Sequence, residues 1–276
     1  MAGPVLIRGI GDVGSAVGHV LHRAGFAVAI LDEPCPTAHR RGMAFVDAMY
    51  DGSARLDGVT ARRVDDVAEI AACRAEGCIA ALCLPFDAAL QALTWSVLID
   101  ARMRKRQAPE DQRGLAPLVI GLGPGFDAGA NVDIAVETSW ERLGAILRRG
   151  PTLKLAGEPQ PVGGAGRERL VYAPEDGVFR TQRRLGELVA AGDVVATVDG
   201  QPLLAPIAGA LRGLTRDGIR VARDTKVIEV DPRGTTAGIF GLGERPRRIA
   251  EAVLSVVAGL SSEPVAMLGI DNAAAR

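Results

Sequence analysis

Short apolar segments alternate with amphipathic ones through the first half of the chain. Residues 5–8 form an apolar run that enters a glycine loop. After the loop, apolar residues recur at the spacing of one helical face, at Ala16, Val17, Val20, Leu21 and Ala24. We expect Gly25 to end this helix and residues 27–31 to form a second buried strand. A strand, a helix and a strand within about thirty residues predict a parallel βαβ unit.

The same alternation continues towards residue 136. Further apolar runs predict strands at residues 61–64, 78–84, 96–99, 118–120 and 133–136. Amphipathic runs between them predict helices at residues 65–75 and 87–94. Short continuous apolar strands separated by helices are typical of a parallel sheet that is covered on both faces. We therefore predict a Rossmann-like, doubly wound parallel α/β domain over residues 1–149.

The second half of the chain contains an internal repeat. Residues 150–168 are rich in glycine and proline, which predicts a linker. The motif Ala-Pro-x-x-Gly at residues 173–177 recurs at residues 205–209, and the same offset of 32 aligns many later positions. Two copies of a β unit predict a small pseudo-symmetric all-β domain over residues 169–234. Within residues 235–276 we predict an amphipathic helix, at residues 247–260, and a frayed tail.

The first glycine loop carries the clearest chemical signal. It reads GIGDVG over residues 9–14, between a predicted strand and a predicted helix. In dinucleotide-binding loops the first glycine permits the turn, the second lets a phosphate approach the backbone, and the third allows helix–strand packing. The helix then directs free N–H groups and the positive end of its dipole at the anion. The alternative interpretation is a tight turn that binds no ligand.

Two acidic residues accompany this loop. Asp32 closes the second predicted strand, where an acid binds the ribose hydroxyl in NAD sites. An acid at this position also serves as a helix cap, so both interpretations stay open. Asp12 lies within the loop and departs from the usual pattern, because its negative charge would lie beside a diphosphate.

A second glycine loop, at residues 121–125, also follows an apolar strand. Because the carboxyl ends of parallel strands share one edge of a sheet, both loops are predicted to face one crevice. The alternative is a tight turn imposed by Gly-Pro-Gly. The cationic run at residues 102–106 either binds a phosphate or an acidic partner or is a solvated loop. We expect Arg40 and Arg41 on the surface. The predicted cofactor-binding residues are Gly9, Gly11, Asp12, Gly14, Asp32, Gly121, Gly123 and Gly125.

The composition of the chain argues against several classes of function. The net charge of −1 and the pI of about 6.3 provide no broad basic face, so we predict no nucleic-acid partner and no membrane partner. No apolar run approaches the ~20 residues of a membrane span, and no secretory signal is visible. The four cysteines have no zinc-ligand spacing with the histidines. We therefore expect a cytoplasmic, reduced protein without a metal site.

The sequence identifies no catalytic residue. It contains no Gly-x-Ser-x-Gly elbow, and no histidine follows His39. Neither Tyr50 nor Tyr172 has the lysine partner of a Tyr-x-x-x-Lys proton donor. Cys35 is the one thiol beside the predicted site, and nothing in the sequence marks a base for it.

The repeated half resembles the biotinyl/lipoyl-like barrel-sandwich hybrid. In carrier members of that group, a lysine on the hairpin between the two halves is acylated by the cofactor. Here the corresponding link, residues 198–204, has no lysine, and the lysines of the chain are Lys105, Lys154 and Lys226. We therefore expect no biotin or lipoyl group and a docking or scaffolding role.

Several motifs along the chain carry a wider resemblance. They are IRGxGD at residues 7–12, PxPTAxRR at 34–41, DARMxKR at 100–106, LVIGLGPGF at 118–126, VET at 136–138 and DPRG at 231–234. With these motifs the chain resembles the selenium-dependent molybdenum hydroxylase system protein family, also called YqeB-like. Cys35 departs from the pattern, since a basic residue is more usual between the prolines. The resemblance implies a maturation role for molybdenum hydroxylases of the xanthine dehydrogenase type.

The leading hypothesis combines the loop with the resemblance. The chain would bind a nucleotide-like small molecule, either NAD(P) or a molybdopterin nucleotide, as an accessory protein for molybdenum hydroxylases or their maturation proteins. One alternative is an NAD(P)-dependent oxidoreductase, in which Asp32 would favour NAD over NADP. The other is a non-catalytic scaffold with a vestigial ligand site.

Overall fold

The computed structural model describes residues 3–104, 107–154, 160–236 and 238–260. Its helices are α1 (Asp12–Arg23), α2 (Ala48–Asp51), α3 (Glu69–Ala75), α4 (Phe86–Gln91) and α5 (Glu244–Leu260). The strands of the first half are β1 (Val5–Arg8), β2 (Val28–Leu31), β3 (Ser53–Leu56), β4 (Val59–Val64), β5 (Ile79–Leu82), β6 (Val97–Asp100), β7 (Leu118–Leu122), β8 (Asp127–Ala128), β9 (Ile134–Val136), β10 (Ile146–Leu147) and β11 (Gly150–Pro151). The strands of the second half are β12 (Leu170–Tyr172), β13 (Gly177–Arg180), β14 (Leu188–Val189), β15 (Val194–Val198), β16 (Gln201–Leu204), β17 (Gly209–Leu214), β18 (Arg220–Val221) and β19 (Lys226–Asp231).

One large sheet organises the first half. Its strand order is β10-β9-β7-β6-β1-β2-β5-β4-β3, and the strands from β9 to β4 in that order run parallel. β3 and β10 add antiparallel strands at the two edges. Thus β1 has β2 on one side and β6 on the other. The predicted mixed α/β class with a large, mainly parallel sheet is confirmed, whereas the Rossmann-like layout stays a prediction.

Helices cover both faces of the large sheet. Alternate residues of each buried strand point to opposite faces, so Val5 and Ile7 face α1 and α5 while Leu6 faces α3 and Trp95. α5 packs directly on α1 and adds an apolar face to the same core. The predicted apolar face of this helix includes Ile249, Val253, Val256 and Val257, which are all buried. The C-terminal helix therefore returns to the first half of the molecule.

The second half forms two four-stranded antiparallel sheets. Their orders are β16-β15-β13-β18 and β12-β19-β17-β14. β12–β15 recur as β16–β19 at the offset that the repeat predicts, and strands of one copy pair with strands of the other. Each of the two sheets contains strands from both copies, so neither copy forms a sheet alone. The two copies share one apolar core, which includes Phe179, Val198, Leu211 and Val230. The barrel-sandwich hybrid assignment stays a prediction.

Some elements were not predicted. β3 was missed because its residues are mostly exposed and polar, although the Asp57–Gly58 dipeptide with positive φ at both residues is a hairpin signal. The predicted linker contains β11, which pairs with β8, and residues 155–159 of that linker lie outside the described residues, as does the tail at 261–276. Among the described helices, none is long and apolar enough to cross a lipid bilayer.

Candidate functional site

The three glycines of the first loop have different surroundings. Gly9 has a φ of +107°, and a methyl group there would lie 2.8 Å from the Ala101 carbonyl oxygen. A methyl group at Gly14 would lie 1.8 Å from the Gly9 carbonyl oxygen. Gly11 is the N-cap of α1 with φ −62° and ψ −176°, and the position of its missing Cβ has no atom within 4 Å. Gly9 and Gly14 are therefore required by the fold, whereas Gly11 leaves open space at the helix N-terminus.

Asp32 braces this loop. It follows β2, and its Oδ2 accepts a hydrogen bond of 2.6 Å from the Ile10 N–H. Its Oδ1 accepts a second bond, of 2.8 Å, from the Glu33 N–H. Burial raises the pKa of Asp32, although these two backbone bonds oppose the shift. The predicted ribose-binding acid thus lies beside the predicted phosphate loop, held in place by backbone donors.

Asp12 turns its charge towards arginine side chains. Its Oδ1 accepts from the Val13 N–H at 3.0 Å, and its Oδ2 accepts from Arg40 Nη1 at 3.1 Å. Burial alone would raise the pKa of Asp12, but the charges of Arg40 and Arg245 outweigh burial and lower it. Arg245, on α5, donates from Nε to the Thr138 carbonyl oxygen at 2.9 Å. The departure from the usual loop sequence is therefore compensated by cations from outside the loop.

Arg40 connects the loop to the β-domain. Besides Asp12, it binds both carboxylate oxygens of Glu229 on β19, with Nε–Oε2 at 2.7 Å and Nη2–Oε1 at 3.1 Å. Glu229 is completely buried, and His39 Nε2 and Arg169 Nη2 each lie 3.4 Å from it. Burial would raise the pKa of Glu229, but His39 and Arg40 lower it strongly. The side chain of Arg40 is 24% exposed, so it lies only partly on the surface, and its partner Glu229 lies in the other half of the chain.

The second glycine loop is filled by its own neighbours. Gly121 lies inside β7, and a methyl group there would come within 2.3 Å of the Phe126 ring. Gly123 and Gly125 have positive φ values of +98° and +94°. Methyl groups at these two positions would lie 3.1 Å from Thr138 Oγ1 and 3.0 Å from Pro109 Cδ, respectively. Packing and turn geometry thus account for these glycines, and their role in a ligand site stays a prediction.

A partly buried polar network lies between the two loops. Asp100, at the end of β6, accepts from Arg102 Nε at 3.0 Å and from Gln112 Nε2 at 2.7 Å. Arg8, at the end of β1, donates to Gln112 and Glu110 at 2.7 and 2.8 Å. Despite partial burial, hydrogen bonds from its own backbone and from Arg8 and Arg102 lower the pKa of Glu110 to about 2.

The network changes how the predicted cationic run is interpreted. Its first member, Arg102, is bound to Asp100, and Lys105 and Arg106 lie outside the described residues. Glu110 and Gln112 have no local motif that could have identified them. The segment of residues 101–103 runs between the loops, since Gly9 approaches Ala101 and Gly123 approaches Met103.

Comparison with known proteins finds one curated relative with a clear sequence similarity. The chain is 34% identical over 264 residues to the uncharacterized protein YqeB of Escherichia coli K12, which covers 95% of this chain and 48% of YqeB. The chain thus spans about half the length of the curated relative that it matches. No protein family model matches the chain. The similarity supports the YqeB-like family that the motifs indicate.

Similar solved structures include the product-bound ectoine utilization protein EutE (DoeB) of Ruegeria pomeroyi, with 16% identity and a TM-score of 0.26 over 83% of this chain and 85% of that chain. They also include an aspartoacylase family protein of Mesorhizobium loti, with 13% identity and a TM-score of 0.25 over 83% and 85% of the two chains. TM-scores this low do not establish a common fold.

Proposed function

We propose that the chain is an accessory protein that binds the phosphate groups of a nucleotide or pterin–nucleotide at the N-terminus of α1. The observation that carries this proposal is the contrast between Gly11 and its neighbours. Gly9 and Gly14 meet backbone atoms, so no other residue fits there. The φ and ψ of Gly11 suit any residue, and its side-chain position is open, so the fold itself does not require glycine. A ligand that occupies this open space would explain why the residue at position 11 is glycine.

The surroundings of Gly11 suit an anion. The first turn of an α-helix has N–H groups without helical partners, and the dipole of α1 adds a partial positive charge. Arg40 and Arg245 both act on Asp12 and offset its negative charge beside the loop. Asp32 would accept a hydrogen bond from a hydroxyl group of the ribose or pterin. Each of its carboxylate oxygens accepts one backbone N–H and retains a second lone pair. In this proposal Gly121, Gly123 and Gly125 line the far wall of a Rossmann-like crevice.

The link to the β-domain favours an accessory role over a self-contained enzyme. Arg40 binds Asp12 at the loop and Glu229 in the β-domain, so a ligand that draws on Arg40 would also alter the contact between the two halves. The client, a molybdenum-containing hydroxylase or one of its maturation proteins, rests on the resemblance of the motifs. Selenium handling has no support in the residues of the site.

The proposal is tested by calorimetric titration of the purified chain with NAD, NADP, ATP, CTP and a molybdopterin nucleotide. We expect one ligand per chain, competition by inorganic diphosphate, and NADP weaker than NAD because Asp32 would repel the 2′-phosphate. Preference for the molybdopterin nucleotide would support the proposed client, and preference for NAD would favour an oxidoreductase. Failure of all five ligands to bind would contradict the phosphate site.

A further inference from the structure

Two cysteine side chains are in contact at the edge of the large sheet opposite to the glycine loops. Cys73 lies in the last turn of α3, and Cys78 precedes the amino end of β5. Their Sγ atoms are 2.8 Å apart, and no disulfide bond joins them. A disulfide bond is about 2.0 Å long, so a shift of less than about 1 Å would join the two sulfur atoms. The intervening turn holds this arrangement, with the Cys78 N–H bonded to the Cys73 carbonyl oxygen at 3.1 Å.

The two thiols differ in access. Cys78 lines two cavities, one of about 210 Å³ beside Trp95 and one of about 470 Å³ beside Arg62. Cys73 is fully buried and lines neither of them. Burial raises the pKa of the Cys73 thiol to about 12, against the opposing effect of Arg62. Both residues are buried, but Cys78 is 9% exposed and lines both cavities, so its thiol is the nearer of the two to an external reagent. Cys73, which is in contact with it, is the thiol placed to attack the Cys78 sulfur next.

Arg62 supplies a positive charge at this pair. It lies on β4 and, like Cys78, lines the cavity of about 470 Å³. Its Nε is 3.5 Å from Glu76 Oε2, and its buried Nε and Nη2 have no hydrogen-bond partner of good geometry among the described residues. A guanidinium with unfilled N–H groups favours a thiolate over a thiol, and the thiolate is the nucleophile in disulfide exchange.

We propose that Cys73 and Cys78 are a redox-active dithiol that reduces low-molecular-weight disulfides. The Cys78 thiolate attacks one sulfur of a disulfide RSSR, forms a mixed disulfide and releases one RS⁻, which takes up a proton. Cys73 then loses its proton, its sulfur attacks Cys78 Sγ, and the second RS⁻ leaves. In total, two protein thiols and RSSR become one protein disulfide and two RSH. This inference is independent of the nucleotide site, which lies at the other edge of the sheet.

The test uses oxidised glutathione and a Cys35→Ser/Cys83→Ser background, which removes the other two thiols. We expect an intact mass lower by two hydrogen atoms and no free thiol in the native protein. Arg74 lies between the cysteines, so trypsin separates them and a linked peptide pair identifies the bond. The same mapping on the parent chain tests the proposal if the background variant does not fold.

Single variants separate the roles of the two thiols. In that background, Cys73→Ser should accumulate a mixed disulfide at Cys78, and Cys78→Ser should not react in the native state. Arg62→Met should slow formation of the mixed disulfide by about tenfold, because it removes the positive charge that stabilises the attacking thiolate. Arg55→Met, on the exposed face of β3, is the matched control and should react at the parent rate. Native protein that keeps both thiols free while unfolded protein is oxidised would overturn the proposal, as would equal rates for Arg62→Met and Arg55→Met.

Discussion

The two glycine loops of the molecule look alike in sequence and differ in structure. Each follows an apolar parallel strand, β1 or β7, and each has glycines two residues apart. In the first loop, Gly11 has open space where a side chain would be, and α1 begins at the next residue. In the second loop, Phe126 covers Gly121, and the short strand β8 follows. Spacing of glycines therefore predicts a turn, and an anion site needs the open position and the helix as well.

The two loops also differ in their connections. Asp12, Arg40 and Glu229 join the first loop to the β-domain through buried or half-buried charges. The second loop is held by neutral contacts, including the Gly123 N–H bonded to the Val136 carbonyl oxygen at 3.2 Å. A ligand bound at the first loop could therefore affect the β-domain, whereas the contacts of the second loop lie within its own half of the chain.

The largest expected effect of a single change is at Gly14. Replacement by valine would drive a side chain into the Gly9 carbonyl oxygen, which belongs to the backbone and cannot turn away. We expect Gly14→Val to lower the free energy of unfolding by more than about 3 kcal/mol, the upper range for overpacking. Urea denaturation followed by circular dichroism measures this change. A loss below about 1 kcal/mol would show that the loop is not packed as described.

Arg40→Met tests the ionic connection of the first loop. The change leaves the buried Glu229 without its two-bond partner, but His39 and Arg169 stay 3.4 Å from it. We therefore expect a loss in the free energy of unfolding below the about 3–5 kcal/mol of a fully unpaired buried charge. The pKa values of Glu229 and Asp12 are lowered in the folded state, so their contribution is present above the unfolded pKa of about 4 and is lost as pH falls. Stability of the parent should therefore fall more steeply below about pH 5 than that of Arg40→Met. If the free energies of unfolding of the parent and of Arg40→Met changed in parallel with pH, this result would contradict the ionic connection between Asp12, Arg40 and Glu229.

Gly121→Ala should have a smaller effect. Its new methyl group would meet the Phe126 ring, which can shift, so we expect a loss of about 1–3 kcal/mol in the free energy of unfolding. Gly11→Ala is the matched comparison and should change stability by less than about 0.5 kcal/mol, since nothing lies near its side-chain position. Thermal melting of both variants checks the pair. Equal losses would remove the distinction between the two loops.

The sequence predicted the elements that depend on local pattern. Buried strands such as β2, β5 and β7 and the helices α1 and α5 have continuous or periodic apolar residues, and each was predicted within a few residues of its bounds. The repeat with its offset of 32 likewise anticipated the paired strands of the β-domain. β3 has no such pattern, because an edge strand with exposed residues carries little apolar signal.

The candidate site was only partly predictable. Gly11, Asp12 and Asp32 belong to one βαβ unit, so their proximity follows from local order. Arg40, Glu229 and Arg245 come from three distant parts of the chain, and no local motif reveals a contact across 189 residues. The contact between Cys73 and Cys78 is local, but the spacing of five residues has no established motif that would have marked it.

The central claim is that the open position at Gly11 is a phosphate site, and one pair of variants tests it most directly. Gly11→Val fills that position, while Gly238→Val fills an exposed position that also has no neighbour within 4 Å. Both are titrated calorimetrically with whichever of NAD, NADP, ATP, CTP and the molybdopterin nucleotide the parent binds most tightly. The account predicts parent-like melting for both variants, unchanged affinity for Gly238→Val, and an affinity lower by at least about a hundredfold for Gly11→Val, which corresponds to about 2.7 kcal/mol. Parent-like affinity in a folded Gly11→Val variant would contradict it.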